Sequence, residues 1–350
     1  GMEGILAVFT KGTFFYFFIV AAIFAIGDFA GIVTRAKLSS VFVALLLFLV
    51  GFLSGVLPGD IIKKAGLTDM GNMASALLIF HMGTMINIKQ LMQEYKTVIT
   101  AILSMIVVMV ACMAVSPIIG MKNALIAIPV LNGGIVSTQI MSQKAMSLGL
   151  TIPAALAALL YAIKKFAGSY PASLFGVREA KVILEEYRAN QVAKQESQGT
   201  SAVVAEEVKK CGFADRNNKF FTDYICIAVT VFFAWIAMSV GSLTPINYSI
   251  WALLFGAVLG HMRIVPEKIL EKGKTSGIIS MIIFAIIVPS LAKVTMNDLI
   301  TMGYYMIVIL GASLLALYIC FYILPGWKIK GSKNLAMGIA LGQFLGFPAT

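Results

Sequence analysis

Charge is what this sequence lacks. Lys, Arg, Asp and Glu make up 12% of its 350 residues, about half the roughly 25% of a soluble globular chain. Such a chain cannot clothe a large core in polar side chains. Alternation of apolar and polar residues at strand period is also missing, which leaves helices as the way to satisfy a backbone in lipid. Cysteine is scarce. Cys112, Cys211, Cys226 and Cys320 show no metal-ligand spacing and no disulfide framework, and three of them lie in apolar runs, where Cys packs as a small residue. No HExxH, GxSxG, Walker loop or Cys/His zinc set occurs. The apolar runs hold no convincing pair of catalytic groups, so no enzyme is expected, and no cofactor beyond Na⁺ as a coupling ion.

What the chain does have is apolar length. Apolar residues make up 59% of it, and its mean hydropathy is +0.92. The runs are near the 20 residues that a helix needs to cross a hydrocarbon core of about 30 Å. The expected fold is an all-α polytopic membrane protein. Eleven spans can be read, at 12–34, 39–57, 69–88, 97–119, 123–149, 152–174, 220–241, 248–263, 275–294, 302–324 and 333 to the end. The first run is too long for a signal-peptide core and no small-residue cleavage site follows it, so it reads as a retained span. The Gly ahead of Met2 is set aside.

The formal charge of +11 reflects positive-inside bias rather than nucleic-acid binding. With eleven full crossings, Lys11, Lys63, Lys64, Lys122, the basic residues of 175–219, the loop from Arg263 to Lys274 and Lys328 to Lys333 share the cytoplasmic side, together with the N-terminus. Arg35, Lys37, Lys89, Lys96 and Lys293 lie opposite. If 123–149 is instead a re-entrant hairpin, the early loops change sides and the bias is equally strong. The protein is expected in the cell (inner) membrane, with the lipid bilayer, a small anionic substrate and a second copy of the chain as its partners.

Residues 175–219 are the one soluble-looking stretch, with pairs such as Lys181 and Glu185 at helical i,i+4 spacing. They read as a cytoplasmic linker, broken at Gln195–Ser201. The organisation is then an extra N-terminal helix over 1–38, a first membrane repeat over 39–174, the linker, and a second repeat over 220–350. Sliding 76–111 by 176 residues aligns Ala76-Leu77-Leu78 with Ala252-Leu253-Leu254 and Ser104-Met105-Ile106 with Ser280-Met281-Ile282. At nearly the same offset, Phe166-Ala167-Gly168-Ser169-Tyr170-Pro171-Ala172-Ser173 aligns with Phe344-Leu345-Gly346-Phe347-Pro348-Ala349-Thr350. Five spans per repeat would make the repeats inverted in the membrane, as in many secondary transporters. The alternative is that both halves are merely rich in Leu, Ile and Met. Thr350 falls where its partner motif continues into Leu174–Ala180, so the second repeat is expected to run on past the chain.

The first candidate site is 129–139. Gly133 and Gly134 each weaken a helix by about 1 kcal/mol relative to Ala, and Pro129 removes a hydrogen bond. A break there frees carbonyls which, with Asn132, Ser137 and Thr138, suit Na⁺. The N–H groups at the start of the following half-helix suit a carboxylate. Gln139 completes the polar run. Close helix packing through small residues is the competing explanation. The second candidate is the pair of Gly-x-Pro elements, Gly168 with Pro171 and Ser173, and Gly346 with Pro348 and Thr350. In each, Pro ends or kinks an apolar helix, and Gln343 precedes the second. Lys164 and Lys165 sit in an apolar run, where a charge needs a reason. Anion binding is one, snorkelling to the interface another. Asp28 and Arg35 read as an interfacial ion pair or a cation ligand, and His81 as a hydrogen-bonded packing residue.

On Leu131-Asn132-Gly133-Gly134-Ile135-Val136, the two Phe-x-Gly…Pro elements and the inverted-repeat layout, the chain resembles the glutamate:sodium symporter family in its broad sense, including poorly characterised bacterial members. The likeness covers most of the chain as architecture and short motifs as residues. It implies a two-domain carrier with inverted five-helix repeats, sodium-coupled uptake of an acidic substrate such as glutamate or a dicarboxylate, and a transport site that includes 132–139. The expected function is cation-coupled symport by alternating access. A scaffold or sensor acting through 175–219 would instead have continuous helices at 129–139 and 166–173, and a channel a continuous water-filled path.

Overall fold

A computed structural model describes residues 1–194 and 212–344. Every regular element among the described residues is helical. Five helices are long and apolar enough to cross a membrane: Thr13–Val33, Tyr95–Ala114, Thr151–Ala189, Asp223–Leu243 and Met296–Ile323. The other apolar runs form shorter helices, including Ser40–Leu53, Tyr248–His261 and Ser276–Leu291.

The chain opens with α1 (Met2–Thr10), α2 (Thr13–Val33) and α3 (Ser40–Leu53), followed by the single turn α4 (Ile61–Lys64). The Lys64 ammonium lies 5.2 Å from the centre of the Tyr16 ring. The start of α2 and the Asp60–Lys64 turn therefore share one end of the bundle, called here the Lys63 end. The opposite end holds the turn after α2, where Arg35 and Ala36 have positive φ, and is called the Arg35 end. From the Lys63 end, α5 (Thr68–Thr84) crosses the bundle. After α6 (Ile88–Gln93), α7 (Tyr95–Ala114) returns.

The expected single span over 123–149 is not formed. After the turn α8 (Ser116–Ile119) come two half-length helices, α9 (Met121–Asn132) and α10 (Ile135–Ser147), broken at Gly133-Gly134. Their 12 and 13 residues reach about 18 and 20 Å, too short to cross alone. α9 starts where α7 ends, at the Lys63 end. α10 returns to that end: the Gln143 amide donates to Asn72 Oδ1 at 3.3 Å, and Met146 lines a cleft with Asp60 and Lys63. The pair is a helical hairpin whose tip is the Gly-Gly break. This corrects the sides expected from eleven full crossings, which separate Lys63 from Lys293, for both line that cleft.

From the hairpin, α11 (Thr151–Lys194) crosses to the Arg35 end and projects beyond it. Pro171 lies inside this helix rather than ending it, and the charged stretch expected as a linker starts as its continuation. α12 (Phe213–Arg216) docks on the segment after α14 through Ala214 N–H and the Arg263 carbonyl, 2.8 Å apart. α13 (Asp223–Leu243), α14 (Tyr248–His261), the turn α15 (Ile269–Lys272), α16 (Ser276–Ile286), α17 (Met296–Tyr318, extended by a π-turn to Ile323) and α18 (Lys333–Gly342) complete the described chain. Gln195–Ser201, Gly346, Pro348 and Thr350 lie outside the described residues.

Helix α14 lies beside α5 in the same direction, Phe80 against Gly256 and Thr84 against Gly260. Those pairs are 176 residues apart, so the offset read from the sequence joins parallel neighbours. A second echo, at 208 residues, joins helices of opposite direction. Val56-Leu57-Pro58 through Ile61-Ile62-Lys63-Lys64 matches Ile264-Val265-Pro266 through Ile269-Leu270-Glu271-Lys272. The turns α4 and α15 match at that offset, as do the starts of α3 and α14 and of α5 and α16. The left-handed residues Gly55 and Gly66 fall on Arg263 and Lys274, which are left-handed too.

Candidate functional site

The hairpin tip meets α11 half-way along the bundle. Both Gly133 and Gly134 have extended backbones, which ends α9 and leaves carbonyls without helical partners. Lys164 supplies those partners. Its side chain is fully buried, and Nζ donates to the carbonyls of Val130 at 2.8 Å and Gly133 at 2.6 Å. The carbonyls expected to hold Na⁺ are thus engaged by an ammonium from the protein itself. The Tyr161 ring stands beside both lysines, 5.2 Å from Lys164 Nζ and 5.5 Å from Lys165 Nζ.

Other expected site residues divide among different tasks. Asn132 Nδ2 donates to the Met105 carbonyl at 3.2 Å, while its Oδ1 is buried without a partner. The Thr138 hydroxyl donates to the Gly134 carbonyl at 3.1 Å, and Ser137 folds back over Gly133, where a Cβ would come 2.7 Å from its own. Gln139 turns away from the tip. Its Oε1 accepts from the Ser75 hydroxyl, and its Nε2 donates to the Gly71 carbonyl at 3.4 Å. No side chain caps the start of α10, so the N–H groups expected to face an anion remain free of one.

Of the two Gly-x-Pro elements only the first is described, and its Gly168 packs on the residues that lead into the second. A Cβ on Gly168 would lie 2.6 Å from Phe344 Cβ and 3.3 Å from the Leu341 carbonyl, so α11 and the end of α18 touch there. Gln343 is half-buried, and both of its amide atoms are buried without a partner. Ser173 is exposed on α11, apart from the tip. The structure also shows a likeness the sequence reading missed. Lys122-Asn123 opens α9 and Lys333-Asn334 opens α18, and Asn123 and Asn334 both bury an unpartnered Oδ1. At the same offset Asn132 falls on Gln343, which also carries unpartnered amide atoms. The shared Lys-Asn pair was the available signal.

Two clefts flank the tip. One, of about 1010 Å³ at the Arg35 end, is lined by Asp28, Arg35, Lys37, Lys165, Ser169 and Ser280 among others. Among the described residues Arg35, Lys37 and Lys165 form no ion pair there, and Asp28 forms none with Arg35, the pair the sequence suggested. The other, of about 630 Å³ at the Lys63 end, is lined by Asp60, Lys63, Asn72, Gln143 and Lys293 among others. α16 runs between them, with Gly277 and Ser280 in the first cleft and Ile286 in the second. Lys164 and the Ser75–Gln139 contact lie between the clefts. No protein-family model, curated protein or solved structure matches this chain.

Proposed function

We propose that this chain is a secondary active transporter of a small organic anion, driven by a cation gradient and working by alternating access. The observation that carries this reading is the hairpin that stops half-way through the protein, between clefts open at opposite ends. Irregular backbone at membrane depth is tolerated inside protein or beside a water-filled cavity, and paired broken helices are the usual mark of a carrier's midplane site. In this reading α9–α10 is one re-entrant hairpin, α18 begins its counterpart from the opposite face, and inverted repeats offset by about 208 residues relate the two halves.

The Arg35 end then faces the cytoplasm, because it gathers Arg35, Lys37, Lys89, Lys96, the charged extension of α11, Arg263 to Lys274 and Lys328 to Lys333. The N-terminus faces the other side. The cleft at the Arg35 end brings three cations against one carboxylate, which suits an anion such as glutamate or a dicarboxylate. Lys165 is the lysine placed to meet it, since Lys164 is committed to the hairpin. Two separate clefts, with no residue lining both, favour a carrier over a channel. The break at 133–134 departs from the continuous helices expected of a pure scaffold, although α11 runs unbroken through 166–173 as that reading expects.

Uptake into proteoliposomes tests the proposal. A panel of radiolabelled dicarboxylates and acidic amino acids is offered under an inward Na⁺ gradient, an inward proton gradient and no gradient. Gradient-driven accumulation of at least one acid is expected. No accumulation across the panel under either gradient would sink the transporter reading.

A further inference from the structure

We propose that Lys164 is a tethered cation: its ammonium occupies the carbonyl site at the hairpin tip that a free cation would otherwise fill, so the tip takes up no Na⁺ while Lys164 is in place. The inference deepens the transporter reading and rests on it for its role in transport.

Backbone carbonyls exposed by a break in a membrane helix are hard oxygen ligands of the kind that hold Na⁺. Here the Val130 and Gly133 carbonyls accept from Lys164 Nζ at 2.8 and 2.6 Å. A buried ammonium needs charge partners or several hydrogen bonds, and this one is satisfied by carbonyls alone. The charged and titratable neighbours are few. Lys165 and Tyr161 share its helix. Of the elements packed on α11, α3, α16 and Val288–Leu291 carry no ionisable side chain, while α9, α10 and α18 carry Lys122, Lys144 and Lys333 near their outer ends. α17 carries Tyr304, Tyr305, Tyr318 and Asp298, whose carboxylate accepts from the Thr295 N–H in the cap at the start of that helix. Among the described residues no carboxylate therefore anchors the charge on Lys164.

Thermal unfolding of the purified full-length chain in NaCl, with choline chloride as control, tests this. At neutral pH the wild type is expected to unfold at the same temperature in both salts. Lys164→Ala is expected to unfold lower in choline and to regain several degrees in Na⁺, because a ligand bound by the folded state alone raises apparent stability. Lys164→Ser, whose hydroxyl can satisfy one carbonyl, is expected to show the same Na⁺ response and decides the matter if Lys164→Ala does not fold. Stabilisation of the wild type by Na⁺ at neutral pH would overturn the proposal. So would the absence of any Na⁺ response in folded Lys164→Ala or, where that variant fails to fold, in Lys164→Ser. Unfolding reads ion occupancy and not transport, so a Na⁺-coupled carrier fails this test while passing the uptake experiment, and a non-transporting protein can do the reverse.

Discussion

Gly256 packs against Gly83 so closely that a Cβ on Gly256 would lie 2.9 Å from the Gly83 Cα and 3.1 Å from its carbonyl carbon. The obstacle is backbone, so it cannot swing aside. With lipid as apolar as the helices, small residues that let backbones approach are a main source of attraction between them. Gly256→Val is expected to separate α5 from α14 and to cost about 1–3 kcal/mol or more, as overpacking does, read as a lower unfolding temperature. Gly303→Ala on α17, with open space at its Cβ, should leave that temperature unchanged or slightly raised. Equal losses in both variants would show that the crossing is not what they report.

His81 makes the other bond between the halves at this level. Its Nδ1 accepts from the Leu270 N–H at 3.1 Å in a buried setting. His81→Leu is expected to strand that N–H at a cost of about 1–3 kcal/mol, with a smaller loss in His81→Asn, which keeps an acceptor. An unfolding temperature for His81→Leu equal to wild type would remove this bond from the account.

Asp215 gives the cleanest pH dependence outside the spans. The Gly212 N–H, at 2.9 Å, and the Arg263 guanidinium, at 3.1 Å, hold its carboxyl below the usual carboxylate range. A depressed carboxyl contributes stability above its unfolded pKa, near 3.9, and loses it as pH falls through the folded value. The docking of α12 should therefore be complete at neutral pH and loosen in acid. Hydrogen exchange at 212–216, corrected for intrinsic rates, should quicken as pH falls past that range, while Asp215→Asn should show fast exchange with little pH dependence. The pair is well exposed, so global stability should hardly move.

Much of this fold was legible in the sequence, and what was missed has a physical reason. The apolar runs were found because burial in lipid is written in composition. The Gly133-Gly134 break was found because two glycines and a proline oppose a helix wherever they stand. The turn-back within 123–149 was hidden, since a stretch of that length suits one long crossing or two short halves equally. The 176-residue echo was misleading because α5 and α14 share small residues for packing, a property that parallel neighbours acquire as readily as repeats do. The echo at Pro58 and Pro266 is shorter, yet it marks turns, where geometry restricts residue choice. Lys164 was noticed as a charge out of place, but its partners are backbone carbonyls, which leave no trace in side-chain sequence.

The hairpin makes a topological prediction. In a background without native cysteines, Lys63→Cys, Lys144→Cys and Lys293→Cys should react with an impermeant thiol reagent from one face of sealed vesicles. Lys37→Cys, Lys96→Cys and Lys268→Cys should react from the other. Reaction at positions 63 and 144 from opposite faces would mean that α9 and α10 complete a crossing.

Alternating access itself is tested most directly at Ser137, beside the tip and between the two clefts. In the same cysteine-free background, Ser137→Cys is reacted with a small impermeant thiol reagent added to one face of sealed vesicles at a time. The account predicts slow labelling from each face, with labelling from one face suppressed when an ion gradient or bound acid holds the carrier open to the other. Labelling from neither face under any gradient, or from both faces at once at rates no gradient changes, would contradict it.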